Sequence, residues 1–134
     1  MGVKDMKDID WLKTNYLGFL TERKGELSKS MESLYKQECV DEANFEKIKL
    51  NVVEIFSTMF SISFTDDPVA LKAKYLSFFE KITSPWHLNR EKALEFEQEM
   101  ERIVEDVKIQ EADELKIRFE AYFNQMDVDQ RCTN

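Results

Sequence analysis

His87 is the single histidine of this chain, and it limits the chemistry that the protein could perform. A di-iron carboxylate site needs two Glu-x-x-His motifs, but the residue three positions before His87 is Ser84. A zinc site of the H-E-x-x-H type needs two histidines, and one histidine alone does not indicate a Ser-His-Asp triad. The sequence therefore predicts no cofactor, no metal site and no catalytic residue, and we expect that the protein is not an enzyme.

One chemistry remains open for His87, because an exposed imidazole on a four-helix bundle can accept a phosphoryl group. In histidine phosphotransfer modules the histidine lies in the middle of a helix, and Lys-Gly follows shortly after it. His87 falls at the third position of a predicted helix and is followed by Asn89, Arg90 and Glu91. A phosphotransfer-like role for His87 therefore ranks last among the functions that we consider.

Acidic residues recur every four positions along the last predicted helix, at Glu97, Glu101 and Glu105. Like charges at this spacing repel each other by a few tenths of a kcal/mol per pair. The row is either a solvated helix face or a recognition surface for a basic partner. No D-x-D-x-D-G calcium loop accompanies it, so these residues form a candidate acidic surface without a predicted metal.

Composition narrows the classes of function further. The chain has 134 residues and a formal net charge of −8, with 43% hydrophobic and 34% charged residues. It is too apolar for a disordered chain and too charged for a membrane protein. Its acidity disfavours binding to nucleic acid and to anionic membranes, because both carry the same sign of charge. With 3 Gly and 2 Pro, turn-rich β folds are disfavoured and long helices are favoured.

The two cysteines, Cys39 and Cys132, form no C-x-x-C motif. The first residues lack the apolar segment of a secretory signal, so both cysteines are expected to be free thiols in the cytoplasm. No internal repeat and no low-complexity linker is apparent. We therefore predict one domain over residues 1–134, in which residues 127–134 form a frayed tail.

Hydrophobic periodicity predicts helices over residues 8–38 and 41–62, the second of them capped by Asp41. A third helix starts at Asp67, with Pro68 in the first helical position, and ends near Thr83.

Ser84-Pro85 repeats this start signal, so the last helix is predicted to begin there. It would have about 40 residues and a length of about 60 Å. Its two apolar runs are out of register, and the sequence leaves open whether the helix is continuous or breaks near residues 108–111. The predicted fold class is all-α, a mainly antiparallel four-helix bundle with a long C-terminal helix.

Aromatic residues make up 12% of the chain, and most of the 10 Phe lie at helical spacing. Core packing is the interpretation we favour, and the alternative is a ligand-binding bundle with a Phe-lined apolar pocket.

A second feature is an apolar seam with 3-4 spacing on the last turns of the chain, formed by Leu115, Phe119, Tyr122 and Met126. If it is exposed, it is a candidate interface for a second copy of the chain. In the competing arrangement the first helix folds back over it. The sequence thus predicts a small, non-catalytic, cytosolic protein-interaction or regulatory module with a protein partner, which could be a second copy in a homodimer.

Overall fold

Four α-helices connected by short turns make up the computed structural model, which describes residues 6–127. They are α1 (Ile9–Lys36), α2 (Val40–Ser63), α3 (Pro68–Glu95) and α4 (Glu99–Gln125). Backbone hydrogen bonding between Lys7 and Asp127 joins the start of α1 to the end of α4. The predicted all-α four-helix bundle with a long final helix is confirmed. The predicted frayed tail lies outside the described residues, except for Asp127.

Aspartate caps start the two helices that run toward the same end of the bundle. The carboxylate of Asp8 accepts the N–H of Trp11 at 3.0 Å, and that of Asp67 accepts the N–H of Val69 at 3.0 Å. Pro68 occupies the first position of α3, where its missing N–H costs no hydrogen bond. The predicted start of the third helix is therefore confirmed.

The boundary between the third and the last helix differs from the prediction. α3 continues through Pro85, and the Ser84 hydroxyl caps nothing but donates to the carbonyl oxygen of Glu80 at 2.6 Å. A proline inside a helix costs about 3 kcal/mol. Packing beyond the proline offsets this cost, because Trp86 packs against the core and Ala93 is buried.

α4 has 27 residues and a length of about 40 Å, rather than the predicted 40 residues. It is continuous through residues 108–111, so of the two arrangements left open, the continuous helix is correct and the break is not. No Gly or Pro marks the start of α4 in the sequence. The chain turns there at Glu97, a non-glycine residue with a left-handed φ of 55°. α2 begins at Val40, and the predicted cap Asp41 lies in its first turn.

The α1–α2 and α3–α4 turns share one backbone motif. Glu38 and Glu97 have left-handed φ values of 63° and 55°. In each turn the N–H of the following residue reaches the carbonyl five positions earlier at 2.8 Å, from Cys39 to Leu34 and from Gln98 to Ala93. This is the Schellman motif.

The matching turns belong to a repeat of the whole helical hairpin, so the prediction that the chain has no internal repeat is wrong. α1 and α3 have 28 residues each, and the second hairpin follows the first at the displacement of 59 positions that separates Tyr16 from Tyr75. Most core positions keep only their apolar character, which hides the repeat. Identical pairs include Asp8/Asp67, Leu12/Leu71, Lys13/Lys72, Tyr16/Tyr75, Leu17/Leu76, Phe19/Phe78 and Phe60/Phe119.

Side-chain contacts repeat with the same displacement. Lys13 lies 4.7 Å from the ring centre of Phe64, and Lys72 lies 4.8 Å from that of Phe123. The Tyr16–Phe60 and Tyr75–Phe119 ring centroids are 5.0 and 4.9 Å apart. The ion pairs Glu46–Lys49 and Glu105–Lys108 also correspond.

The two hairpins are related by a pseudo-twofold axis along the bundle. α1 packs mainly on α2, α3 packs mainly on α4, and the hairpins meet chiefly between α2 and α4. Tyr16 contacts its own equivalent Tyr75, and Phe60 contacts its equivalent Phe119. Residues that contact their own equivalents lie at the axis, as in the isologous interface of a symmetric dimer. The bundle therefore has the architecture of a hairpin dimer within one chain.

Within residues 6–127, no helix has the length and apolar composition that crossing a membrane requires.

Candidate functional site

The predicted interface seam lies inside the bundle. Leu115 and Phe119 are 0% exposed and Met126 is 2% exposed, while Tyr122 is half-buried. α1 covers the seam, since the rings of Tyr16 and Phe119 are 5.3 Å apart and those of Trp11 and Tyr122 are 6.0 Å apart. The exposed seam is thus a wrong prediction, and the competing arrangement, with the first helix folded back, is correct.

A buried tyrosine pair occupies the centre of this core. The hydroxyl oxygens of Tyr16 and Tyr75 are 2.7 Å apart. Each hydroxyl also faces a backbone carbonyl of the other hairpin, that of Leu115 at 3.4 Å for Tyr16 and that of Phe56 at 3.2 Å for Tyr75. Burial raises the pKa of both tyrosines, and the hydrogen bond to Tyr75 partly opposes this rise at Tyr16. Both hydroxyls are therefore neutral structural groups.

One ion pair crosses from α1 to α4 at the edge of the core. Arg23 donates two hydrogen bonds of 2.9 Å to the carboxylate of Glu111, which is 3% exposed. The hydrogen bond to Glu111 raises the pKa of Arg23 further. In the sequence, Arg23 interrupts the apolar stripe of the first helix. The interruption is tolerated because the carboxylate of Glu111 pairs with the guanidinium group of Arg23.

Charge is concentrated at one end of the bundle, which we call the turn end and define as residues 32–46 and 91–105. Residues 32–46 carry five acidic and one basic side chain, and residues 91–105 carry six and two, so each segment has a net charge of −4. Together they account for the formal net charge of −8. Both segments lie at the same end, because α1 and α3 run in the same direction.

Large apolar side chains are exposed among these charges. Phe96 is 66% exposed and Met100 is 53% exposed, at the α3–α4 turn. Near them, Leu94 is 49% exposed, while Tyr35 and Val40 are 42% and 52% exposed at the α1–α2 turn. Apolar groups rimmed by polar residues on a protein surface mark interaction sites.

The hydrophobic core also thins toward the turn end. Leu27 is buried in α1, but Met31 and Leu34, one and two turns further along the same stripe, are only half-buried. In α2, Phe45 and Ile48 continue the stripe of Val52 and are half-buried as well. Apolar surface therefore remains accessible on the inner faces as well as at the tips.

The candidate acidic surface falls within the turn end, but its three members differ. Glu97 and Glu101 are exposed, whereas Glu105 is 8% exposed and forms a 2.8 Å ion pair with Lys108. The other carboxylate oxygen of Glu105 is buried and has no hydrogen-bond partner among the described residues. Two of the three residues can thus meet a partner directly.

Sequence reasoning missed the apolar part of the turn end. Phe96, Met100 and Ile103 follow one another at spacings of four and three residues, a pattern that is typical of the inner face of one continuous helix. The chain turns at Glu97, so Phe96 ends α3, Met100 begins α4, and both side chains lie outside the core. No Gly or Pro announces this turn.

His87 is exposed in α3 and lines a groove of about 580 Å³ between α3 and α4. Lys116 lines the same groove, together with Glu80 and Asp113. Because α3 continues through Pro85, His87 lies well inside a helix and not at its third position. Within residues 6–127, no group of three His, Cys, Asp or Glu residues is placed to hold a metal ion.

Comparisons with protein families, with curated proteins and with solved structures find no match to this chain.

Proposed function

We propose that this protein is a non-catalytic interaction module and that it binds a basic polypeptide partner through the turn end. The observation that carries the proposal is the coincidence of exposed apolar side chains, Phe96 and Met100 foremost, with a net charge of −8 in the same region. An amphipathic helix with Lys or Arg on its polar face fits such a surface, since its apolar face would cover the exposed rings. A cytoplasmic location belongs to the same proposal, because the free thiol of Cys39 suits a reducing compartment.

Charge argues for a basic partner rather than for a second copy at this surface. Two turn ends would bring together segments of equal negative charge, and like charges opposed across an interface cost several kcal/mol. The homodimer was predicted from a seam that includes Leu115 and Phe119, which are buried. Among residues 6–127, the turn end is where an exposed phenylalanine and an exposed methionine lie near each other, at Phe96 and Met100. A basic partner removes this repulsion, because its charge is opposite to that of the turn end.

Binding of a synthetic amphipathic helix of Leu and Lys tests this proposal by isothermal titration calorimetry. We expect binding that weakens as salt rises, because the attraction is between opposite charges. A scrambled peptide of the same composition, without an apolar face, should bind at least tenfold more weakly, because loss of one buried aromatic contact costs about 2 kcal/mol. Equal binding of both peptides, or none of either, would contradict the proposal.

A matched pair of substitutions locates the surface. Phe96→Ser should weaken binding about tenfold, since exposed aromatic residues are the usual anchors of such interfaces. Ile117→Ser is the control, because Ile117 is 65% exposed, close to the 66% of Phe96, but lies outside the turn end. Sedimentation equilibrium of the free protein reports a homodimer separately, since the monomer has a mass of 15.9 kDa. An equal effect of the two substitutions would show that the peptide binds elsewhere.

Phosphotransfer through His87 is a second candidate, because His87 is exposed within a helix and shares its groove with Lys116. It ranks below the interaction module, since Glu80 and Asp113 line the same groove and would repel a phosphoryl dianion. Treatment with phosphoramidate, a small phosphoryl donor, and phosphorus NMR of the product test it. A phosphohistidine signal that His87→Asn abolishes would support this candidate, and a protein that stays unmodified would exclude it.

A further inference from the structure

The pseudo-twofold axis relates the two segments of the turn end to each other. Residues 32–46 and 91–105 are equivalent at the displacement of 59 positions, and each carries a net charge of −4. Glu38 and Glu97 place the chain in the same left-handed turn at the centre of each segment. The binding surface is therefore made of two halves with one backbone geometry and one charge.

Exposed apolar side chains occur in both halves. Tyr35 and Leu94 are equivalent positions, and they are 42% and 49% exposed. Their carbonyls accept the equivalent turn hydrogen bonds from Glu38 and Glu97, at 3.1 and 3.3 Å. A partner segment that recognises an apolar side chain beside a tight, acidic helix turn thus finds this arrangement twice.

We propose that the turn end holds two half-sites and that each binds one basic amphipathic segment, so that one chain binds two copies of the segment. This inference rests on the proposed function and adds its stoichiometry. The partner is then either a two-fold symmetric dimer of a basic protein or two separate copies of it. A symmetric pair of segments suits a surface whose own halves are related by a twofold axis.

The half-sites differ in strength. The α3–α4 half carries Phe96 and Met100, whereas Gln37 and Asp41 occupy the equivalent positions of the α1–α2 half. Aromatic and Met side chains are enriched at the centre of interfaces, and acidic ones are depleted there. The α3–α4 half-site therefore binds its segment more tightly than the α1–α2 half-site.

The stoichiometry of the Leu and Lys peptide on the full chain tests this inference by calorimetry. We expect two peptides per chain. Phe96→Ser combined with Met100→Ser should remove the tighter site, and Tyr35→Ser combined with Val40→Ser should remove the weaker one, leaving one peptide per chain in each case. All four residues are exposed, and the hydrogen bond that the Tyr35 hydroxyl donates to Asn44 lies at the surface, so circular dichroism should report an unchanged fold.

The two propositions fail in different ways. One peptide per wild-type chain, weakened by both pairs of substitutions, would mean that a single segment spans the axis, and this would overturn the half-sites while keeping the proposed function. No binding at all would overturn both. A covalent dimer of the peptide distinguishes the kinds of partner, since a symmetric dimeric partner predicts one dimer per chain with at least tenfold higher affinity than the free peptide.

Discussion

The hydroxyl oxygens of Tyr16 and Tyr75 lie 2.7 Å apart, at equivalent positions of the two hairpins. Each oxygen also lies near a carbonyl of the opposite hairpin, so three contacts compete for two hydroxyl protons. The pair must therefore break the symmetry of its surroundings. The carbonyl of Phe56 is 3.2 Å from Tyr75 and that of Leu115 is 3.4 Å from Tyr16, which favours the proton chain from Tyr16 to Tyr75 to Phe56.

This direction of the hydrogen bonds predicts that removing the two hydroxyls will lower the free energy of unfolding by unequal amounts. Tyr16→Phe leaves Tyr75 bonded to its carbonyl and should cost about 1 kcal/mol of unfolding free energy. Tyr75→Phe leaves Tyr16 with only the 3.4 Å contact and should cost about 2 kcal/mol. The double substitution should cost less than the sum, because no unpaired hydroxyl remains. Urea unfolding measures all three, and the reverse order of the single variants would refute the assigned direction.

Stability should fall at alkaline pH because of the same pair. The pKa of both hydroxyls is raised in the folded state. As the pH rises, the tyrosines of the unfolded protein therefore lose their protons before those of the folded protein do. Their contribution is fully present below the unfolded pKa of about 10 and is lost as the pH rises above it, by about 1.4 kcal/mol per pH unit for each tyrosine. Urea midpoints between pH 9 and 11, values chosen about the unfolded pKa, should drop less steeply in the Tyr16→Phe/Tyr75→Phe variant. An unchanged slope would contradict the prediction.

The Arg23–Glu111 ion pair has an apolar counterpart in the repeat, since the equivalent positions hold Ile82 and Val52. Arg23→Ile alone leaves the carboxylate of Glu111 buried and unpaired and should cost about 3–5 kcal/mol. Adding Glu111→Val, which copies the other hairpin, should restore stability to within about 1 kcal/mol of the wild type or exceed it. A double-mutant cycle from urea unfolding measures the coupling. A double variant as unstable as Arg23→Ile would show that the two halves do not pack equivalently here.

Glycine should stabilise both turns at the turn end. Glu38 and Glu97 hold left-handed φ values, which cost a residue with a Cβ about 1 kcal/mol. Glu38→Gly and Glu97→Gly should each raise the unfolding free energy by about 0.5–1 kcal/mol. Glu42→Gly removes the same charge inside α2 and should lower it by about 1 kcal/mol. Thermal unfolding compares the three, and equal losses would argue against the turn geometry.

Ser84 tests the boundary between α3 and α4. Because Ser84 is exposed inside α3 and its hydroxyl bonds the preceding turn, Ser84→Ala should change stability by no more than about 0.5 kcal/mol. Asp67→Ala is the control for a true cap and should cost about 1 kcal/mol. A loss at Ser84 equal to that at Asp67 would place a helix start at residue 84.

The sequence by itself determined the helical class and the starts of α1 and α3. Few Gly and Pro, apolar residues at 3-4 spacing and the Asp67–Pro68 pair each act within one or two turns, so no distant contact is needed to interpret them. The final seam from Leu115 to Met126 was also correctly recognised as apolar. The acidity at Glu97 and Glu101 is equally visible in the sequence, and it is part of the turn end.

Tertiary structure alone decided where these features lie. α3 continues through Pro85 because Trp86 and Ala93, which follow the proline, pack against the rest of the bundle. The local sequence pattern Ser84-Pro85, taken alone, predicts the start of a new helix. Whether the final seam faces solvent depended on the position of α1, which no periodicity within α4 encodes. The partners Arg23–Glu111 and Tyr16–Tyr75 are 88 and 59 positions apart, so only the folded chain brings them together. The repeat remained hidden because burial conserves apolar volume rather than residue identity.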